Sequence, residues 1–157
     1  GGLFFGGEST PPTLKLDGGK TETVQVPQEE YLSDDGTLTM YPGDTFHLEF
    51  DDKMEKGSKP RIVSKVTHPK LTVTFTMSNK EGMTMLMRKT KMQLTVAMDC
   101  THRLLGSDKF FRTNLRPTEK ALASYDSWPG TVWTVRLSNF EVTDRSASEV
   151  YQERVSK

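Results

Sequence analysis

The sequence predicts an all-β fold, an antiparallel immunoglobulin-like sandwich of about eight or nine strands with at most one or two short helices. Three observations predict it. Apolar and polar residues alternate with a period of two in several runs. Turn residues separate these runs at short intervals, and helical periodicity is scarce. A barrel is the alternative architecture.

The chain has the length of one ordinary domain, 157 residues. We divide it into a flexible, glycine-rich segment at 1–12, a β-sandwich at 13–145 and a C-terminal tail at 146–157 that includes a short helix. The formal net charge is zero, which argues against a nucleic-acid partner. The apolar runs are too short for a membrane span. The sequence indicates no oligomeric state.

The first half of the chain predicts a series of short strands. The run "TLTMYPGDTFHLEFDD" reads as two strands joined at Pro42 and Gly43, with Phe46, Leu48 and Phe50 facing the core. Further strands are expected at Leu14 to Leu16, Thr21 to Val26 and Arg61 to Thr67.

The strongest alternation lies in the middle of the chain. In "KLTVTFTMS" the apolar side chains from Leu71 to Met77 share one face, and "NKEG" is a turn that returns the chain through Met87 as a hairpin. In "MQLTVAMDC", Val96 and its neighbours at two-residue spacing share a core face, while Thr95 points away.

Residues 83–100 contain five methionines and the only cysteine, Cys100. We interpret them as core residues, because methionine fills gaps between packed side chains. Met85, Met87, Met92 and Met98 are therefore expected between the sheets. The alternative is a soft-metal site, for which the candidate ligands are Met83, Met85, Met87 and His102.

The C-terminal third predicts strands at Phe110 to Asn114 and at Thr131 to Val142. In the second run the apolar parity changes, and a bulge near Ser138 and Asn139 would return the later residues to the core. A turn or two of helix is expected from Pro117. The spacing of Ser146 and Glu149 predicts a capping box at the start of a second helix.

The residues of the chain favour a protein that is not an enzyme and has no cofactor, since no nucleotide, hydrolase or metalloprotease motif occurs. Cys100 and His102 would share a strand face, but a core cysteine is the preferred interpretation. His47, Glu49 and Asp51 also share a face and are preferred as a solvated surface over a metal or acid–base group.

Two charge patterns suggest binding surfaces. Lys109, Arg112 and Arg116, with two phenylalanines between the first two, are the candidate ligand-binding residues for an anion or a carbohydrate. Separately, the charges from Asp17 to Glu55 are mostly acidic and those from Lys56 to Lys91 mostly basic, and we expect these two blocks to pair.

The segments "MLMRKTKMQLTVAMD" and "RTNLRPTEKALASYDSWPGTVWTVRLSNFEV" resemble two segments of a family of small exported bacterial proteins of unknown function. That family carries the patterns "ML-x-R-N-x-x-x-x-x-L-x-Y-x-A-x-M" and "E-x-WP-x-PI-x-x-L-x-L-x-x-F". Here Lys89 replaces the asparagine, and Asp126 replaces the glutamate before Trp128 and Pro129. The resemblance implies a sandwich and export to the periplasm or beyond, after removal of a signal segment, and supplies no catalytic residue.

Three functions are therefore considered. The preferred one is an exported, non-enzymatic sandwich that binds another protein or a cell-envelope component through loops and a sheet face. The alternatives are a periplasmic carrier of copper or another metal and a module that binds a small molecule or glycan.

Overall fold

The computed structural model of this protein describes residues 31–156 and the backbone of two short strands nearer the N-terminus. These strands, β1 (Thr13–Lys15) and β2 (Thr21–Thr23), pair antiparallel. The two strands predicted in this region are thus described in part. The flexible segment predicted at 1–12 lies outside the described residues.

Nine further strands of the described residues form two antiparallel sheets. In chain order they are β3 (Leu38–Met40), β4 (Thr45–Glu49), β5 (Arg61–Val63), β6 (Thr72–Lys80), β7 (Met83–Thr90), β8 (Thr95–Leu104), β9 (Phe110–Thr113), β10 (Ala123–Pro129) and β11 (Val132–Thr143). The strand order is β10-β7-β6-β4-β5 in the five-stranded sheet and β3-β11-β8-β9 in the four-stranded sheet. The predicted all-β antiparallel sandwich is confirmed.

The core lies between the two sheets and contains the side chains that the alternation assigned to it. Phe75 of the five-stranded sheet packs edge-on against Phe140 of the four-stranded sheet, with ring centroids 6.3 Å apart. Both residues are fully buried, as are Val73, Leu86, Val96, Val135 and Leu137. Because the side-chain period of a strand is two, these positions all point inward.

The predicted bulge lies in β11. The register with β8 shifts between Ser138 and Glu141, and Asn139 adopts a positive φ of 51°. One extra residue on β11 changes the parity, so Phe140 and Val142 return to the core. The bulge prediction is confirmed.

The prediction that Met85 and Met87 are core residues is wrong. The β6–β7 turn has two residues, Glu81 and Gly82, with φ of 53° and 79°, as a type I′ turn requires. This turn pairs the inward-facing Met77 with Leu86. The alternate positions of β7, including Met85 and Met87, therefore point outward, whereas Met92 and Met98 are buried as expected.

The helix predicted from Pro117 does not form. Thr118 makes a bridge to Val96, and Lys120 and Ala121 have φ of 28° and 57°, which is incompatible with a right-handed helix. The chain then enters β10, a strand that the sequence did not predict because its inward positions include Ser124 and a charged residue.

The α-helix of the described residues, α1 (Ala147–Val155), packs against β8 on the outer face of the four-stranded sheet. The Ser146 hydroxyl accepts a hydrogen bond from the Glu149 main-chain N–H, which confirms the predicted cap. Thr95 lies on this face but is buried, and its hydroxyl donates to the Arg145 carbonyl oxygen at 2.8 Å. In the described part of the chain, no helix is long and apolar enough to cross a membrane.

Candidate functional site

The four candidate metal ligands do not lie together. Met83, Met85 and Met87 project from the outer face of β7, whereas His102 lies on the inner side of β8 in the other sheet. On an extended strand Met83 and Met87 are about 13 Å apart at the backbone. Within 31–156, no group of three His, Cys, Asp or Glu residues is placed to hold a metal ion.

His102 belongs to a hydrogen-bonded group at the edge of the core. The Thr113 hydroxyl accepts a hydrogen bond from Trp128 Nε1 at 3.0 Å and lies 2.6 Å from His102 Nδ1. The His102 ring packs between the rings of Phe111 and Trp128. Burial lowers the pKa of His102, so its neutral form is favoured. Because His102 lies on the four-stranded sheet and Trp128 on the five-stranded sheet, their ring contact links the two sheets.

Cys100 is buried on the same strand, and burial raises the pKa of its thiol to about 12. Because the thiolate is the nucleophile, we expect an aromatic disulfide reagent to label Cys100 at least about a hundredfold more slowly in the native protein than in denaturant. The measurement is the absorbance of the released aromatic thiol over time. Equal rates in the two states would contradict this placement and return the Cys100–His102 pair to consideration as a nucleophile.

Of the group His47, Glu49 and Asp51, the two carboxylates share one partner, Arg61, and His47 has another, Thr74. His47 Nδ1 lies 2.8 Å from the Thr74 hydroxyl. Arg61 donates to Glu49 and to Asp51, both at 3.2 Å, and its hydrogen bond lowers the pKa of Glu49. Arg61 comes from the basic block, so at this point the two blocks pair across β4 and β5.

The three candidate ligand-binding residues, Lys109, Arg112 and Arg116, do not lie together. Arg112 donates to the Arg154 carbonyl oxygen at 2.6 Å, and the Arg116 guanidinium lies 5.0 Å from the ring centroid of Tyr151. Both therefore contact α1. Lys109 is exposed in the loop before the opposite end of β9, so these residues do not form one site.

A different group of cations, which we call the arginine face, was not predicted. It consists of Arg103, Phe110 and Arg136 on the outer face of the four-stranded sheet, where α1 does not cover it. The Arg136 guanidinium lies 4.1 Å from the Phe110 ring centroid and that of Arg103 lies 5.3 Å from it. Among the described residues, neither arginine forms a salt bridge; Arg103 donates instead to the Thr134 hydroxyl.

A polar cavity of about 450 Å³ adjoins the arginine face, and we call it the hydroxyl pocket. The Asp35 carboxylate at its rim accepts hydrogen bonds from the Ser33 hydroxyl and the Thr37 main-chain N–H. These bonds lower the pKa of Asp35, so its charge is retained at neutral pH. The lining residues are Ser33, Asp35, Thr37, Thr39, Thr101, Arg136 and Ser138.

Comparison of the chain with family models, curated proteins and solved structures gives no match. Function is therefore inferred from the exposed faces of the two sheets.

The second exposed feature, the methionine face, lies on the outer side of the five-stranded sheet. Its members are Met83, Met85 and Met87 of β7 and Tyr125 of β10. The exposed fractions are 47% for Met83, 39% for Met85 and 63% for Tyr125. Tyr125 is the register partner of Met87 on the neighbouring strand, so the apolar side chains are contiguous across the two strands.

A larger cavity of about 660 Å³ is formed by loops near the 3₁₀ turn at Pro69–Leu71. Its lining includes Lys70, Lys91 and Ala121, all of them exposed. A specific small-molecule site needs polar groups held in fixed directions. Both cavities contain such groups: in the larger one His68 Nδ1 lies 3.2 Å from Glu49, and in the hydroxyl pocket Arg136 is held by Phe110 and Asp35 by its hydrogen bonds.

Proposed function

We propose that this protein is an exported, non-enzymatic binding module that captures an extended segment of a partner protein along β10 and the methionine face. The observation that carries the proposal is the exposure of Met83, Met85 and Tyr125 beside an edge strand. Isolated apolar side chains are common on protein surfaces, but a contiguous group marks an interaction site. Methionine is suited to this role because its flexible side chain adapts to different partners.

The backbone of β10 provides the second part of the binding site. In the described part of the chain, β10 pairs with β7 alone, so its other edge presents main-chain donors and acceptors. An extended peptide can add to such an edge as a further strand. Pro129 has no N–H to donate and ends this edge, which leaves Ala123–Trp128 for pairing.

The charges around the methionine face select the kind of segment. Lys89 lies beyond Met87 on the same face of β7, and Lys80 is the register partner of Met83 at the other end. Neither lysine forms a salt bridge within the described residues. A complementary segment has apolar residues at alternate positions and acidic residues towards its ends.

Export is part of the proposal and is supported by the resemblance to small exported bacterial proteins. The absence of catalysis is supported by the surroundings of Cys100 and His102. Burial raises the pKa of the Cys100 thiol, and the His102 ring lies in contact with aromatic side chains of the core edge. Cys100 therefore lacks the accessible, activated character of a catalytic thiol, and the partly exposed His102 has no activated nucleophile beside it on this strand.

The test is selection of nine-residue peptides from a random phage-displayed library on the immobilised protein. We expect enrichment of peptides with alternating apolar residues and acidic ends. The synthetic peptide should bind the wild-type protein at least about tenfold more tightly than Met85→Asp, since a charge replaces an apolar contact. The matched control is Thr45→Asp, on the same face but on β4, which should bind as the wild-type protein does.

A second arm tests strand addition. The selected peptide is resynthesised in two forms, one with methyl groups on the odd-numbered backbone nitrogens and one with methyl groups on the even-numbered ones. Each form loses half of its main-chain donors and keeps its side chains. In an added strand only alternate N–H groups point towards β10, so one of the two forms should lose binding and the other should keep it. Enrichment of peptides that bind Met85→Asp equally well would overturn the proposed face, and equal binding by both methylated forms would overturn the proposed mode.

A further inference from the structure

We propose that the hydroxyl pocket is a second, independent binding site, and that its ligand is a sugar acid, a small polyhydroxylated molecule with one carboxylate. The site lies on the four-stranded sheet, whereas the methionine face lies on the five-stranded sheet. The two proposals therefore rest on different residues and can fail separately.

The carboxylate would be bound by Arg136. Its guanidinium is a planar fork of donors that fits both oxygens of a carboxylate. In the described part of the chain, no carboxylate lies within 4.0 Å of this group, so its donors are available to a ligand. Contact with the Phe110 ring at 4.1 Å restricts the side chain before binding, which reduces the entropy lost when a ligand is bound.

The sugar hydroxyls would be bound by three further side chains. The hydroxyl groups of Thr39, Thr101 and Ser138 line the pocket and make no hydrogen bond to another described residue. Thr39 and Thr101 are brought to the two sides of Arg136 by strand pairing, because both are its register partners. A hydroxyl can both donate and accept, so this group matches the hydroxyls of a sugar ring.

Asp35 restricts the charge of the ligand. Oδ1 accepts the hydrogen bonds from Ser33 and Thr37, which leaves Oδ2 to accept from a ligand hydroxyl. The negative charge of Asp35 disfavours a doubly charged phosphate more than a singly charged carboxylate. The pocket volume of about 450 Å³ lies within the usual range for small-molecule sites, about 300–1,000 Å³.

The test is titration of the full chain with sodium glucuronate. Binding is measured by isothermal titration calorimetry and by changes in amide chemical shifts. Glucose, acetate and glucose 6-phosphate serve as comparison ligands. We expect glucuronate to bind at least about tenfold more tightly than each of the three. The largest shifts should occur at Thr39, Thr101 and Arg136. Binding of glucose 6-phosphate that equals or exceeds glucuronate binding would overturn the assignment to a carboxylate ligand, and equal binding of acetate would overturn the role of the hydroxyls.

Two variants locate the site. Arg136→Gln should weaken glucuronate binding at least about tenfold, and Lys109→Gln, which removes the same charge from the exposed loop before β9, should leave it unchanged. Amide spectra of both variants report whether the fold is kept. Arg136→Gln that retains full affinity, or wild-type protein that shows no binding of glucuronate, would refute the proposal. Neither result bears on peptide binding at the methionine face.

Discussion

Val96→Asp is expected to abolish the folded state. Val96 is fully buried between the sheets, and no cation lies on its core face of β8. Arg88, which enters the core from β7, is already paired with Asp126 and so is not free to compensate a new carboxylate. Burying an unpaired charge costs more than about 4 kcal/mol, a large part of the about 5–15 kcal/mol by which a domain of this size is stable. Circular dichroism during urea titration should show no cooperative transition.

The control is Gln93→Asp, which adds the same charge two residues before β8 at an exposed position. Its unfolding midpoint should match that of the wild-type protein, because the added carboxylate stays in water. Similar unfolding curves for the two variants would contradict the assignment of Val96 to the core. Thr95→Asp is unsuitable as a control, since Thr95 is buried beside α1.

Asp126→Ala is expected to remove about 3 kcal/mol of stability. Arg88 points into the sandwich from β7 and is 1% exposed. Its guanidinium donates to Asp126 of β10 at 2.8 Å and to the Arg116 carbonyl oxygen at 2.7 Å. The loss of Asp126 leaves a buried cation without its counter-charge. The partial exposure of Asp126 places the effect at the lower end of the range for buried pairs.

The double variant Arg88→Met with Asp126→Ala should recover most of this loss, because it removes the buried charge together with its partner. The measurement is the free energy of unfolding from urea titrations of the wild-type protein, both single variants and the double variant. If the double variant lost the sum of the two single effects, the Arg88–Asp126 pair would not be coupled, and the attachment of β10 to the core would need another explanation.

The alternation of β6 and β8 was sufficient to predict their core faces from sequence. In β6 the apolar Val73, Phe75 and Met77 occupy one parity and threonines the other, and in β8 Val96, Met98 and Cys100 share one parity. Burial of the apolar parity fixes which way each strand faces. The parity change in β11 was also readable, since Phe140 and Val142 can enter the core only if one residue is inserted. The cap of α1 is a local feature, so the spacing of Ser146 and Glu149 predicted it.

The orientation of β7 could not be predicted from the sequence in this way. Its two parities contain Met85 and Met87 on one side and Leu86 and Arg88 on the other, so apolar residues occur on both. The β6–β7 turn decides between them, and a change of one residue in its length would exchange the faces.

The arginine face and the hydroxyl pocket could not be predicted because their members are far apart in the chain. Arg136 lies on β11, between Thr39 of β3 and Thr101 of β8, and only the strand order brings the three together. Long-range pairing of this kind leaves no local pattern in the sequence. The sequence did contain basic residues near Phe110, but it did not indicate which of them α1 covers.

The position of α1 has a consequence for shortened versions of this protein. Arg154 of the helix bonds Asp99 at 3.0 Å and Glu141 at 3.2 Å, and both carboxylates lie on the sheet beneath it. A version that ended before α1 would leave Asp99 without this counter-charge, whereas Glu141 would keep its salt bridge to Arg145. The same cut would also remove Glu149 and Glu153. Its main effect would therefore be an uncovered outer face of the four-stranded sheet, on which Asp99 keeps its hydrogen bond from Asn139 but has lost its cation, even if every strand stayed in place.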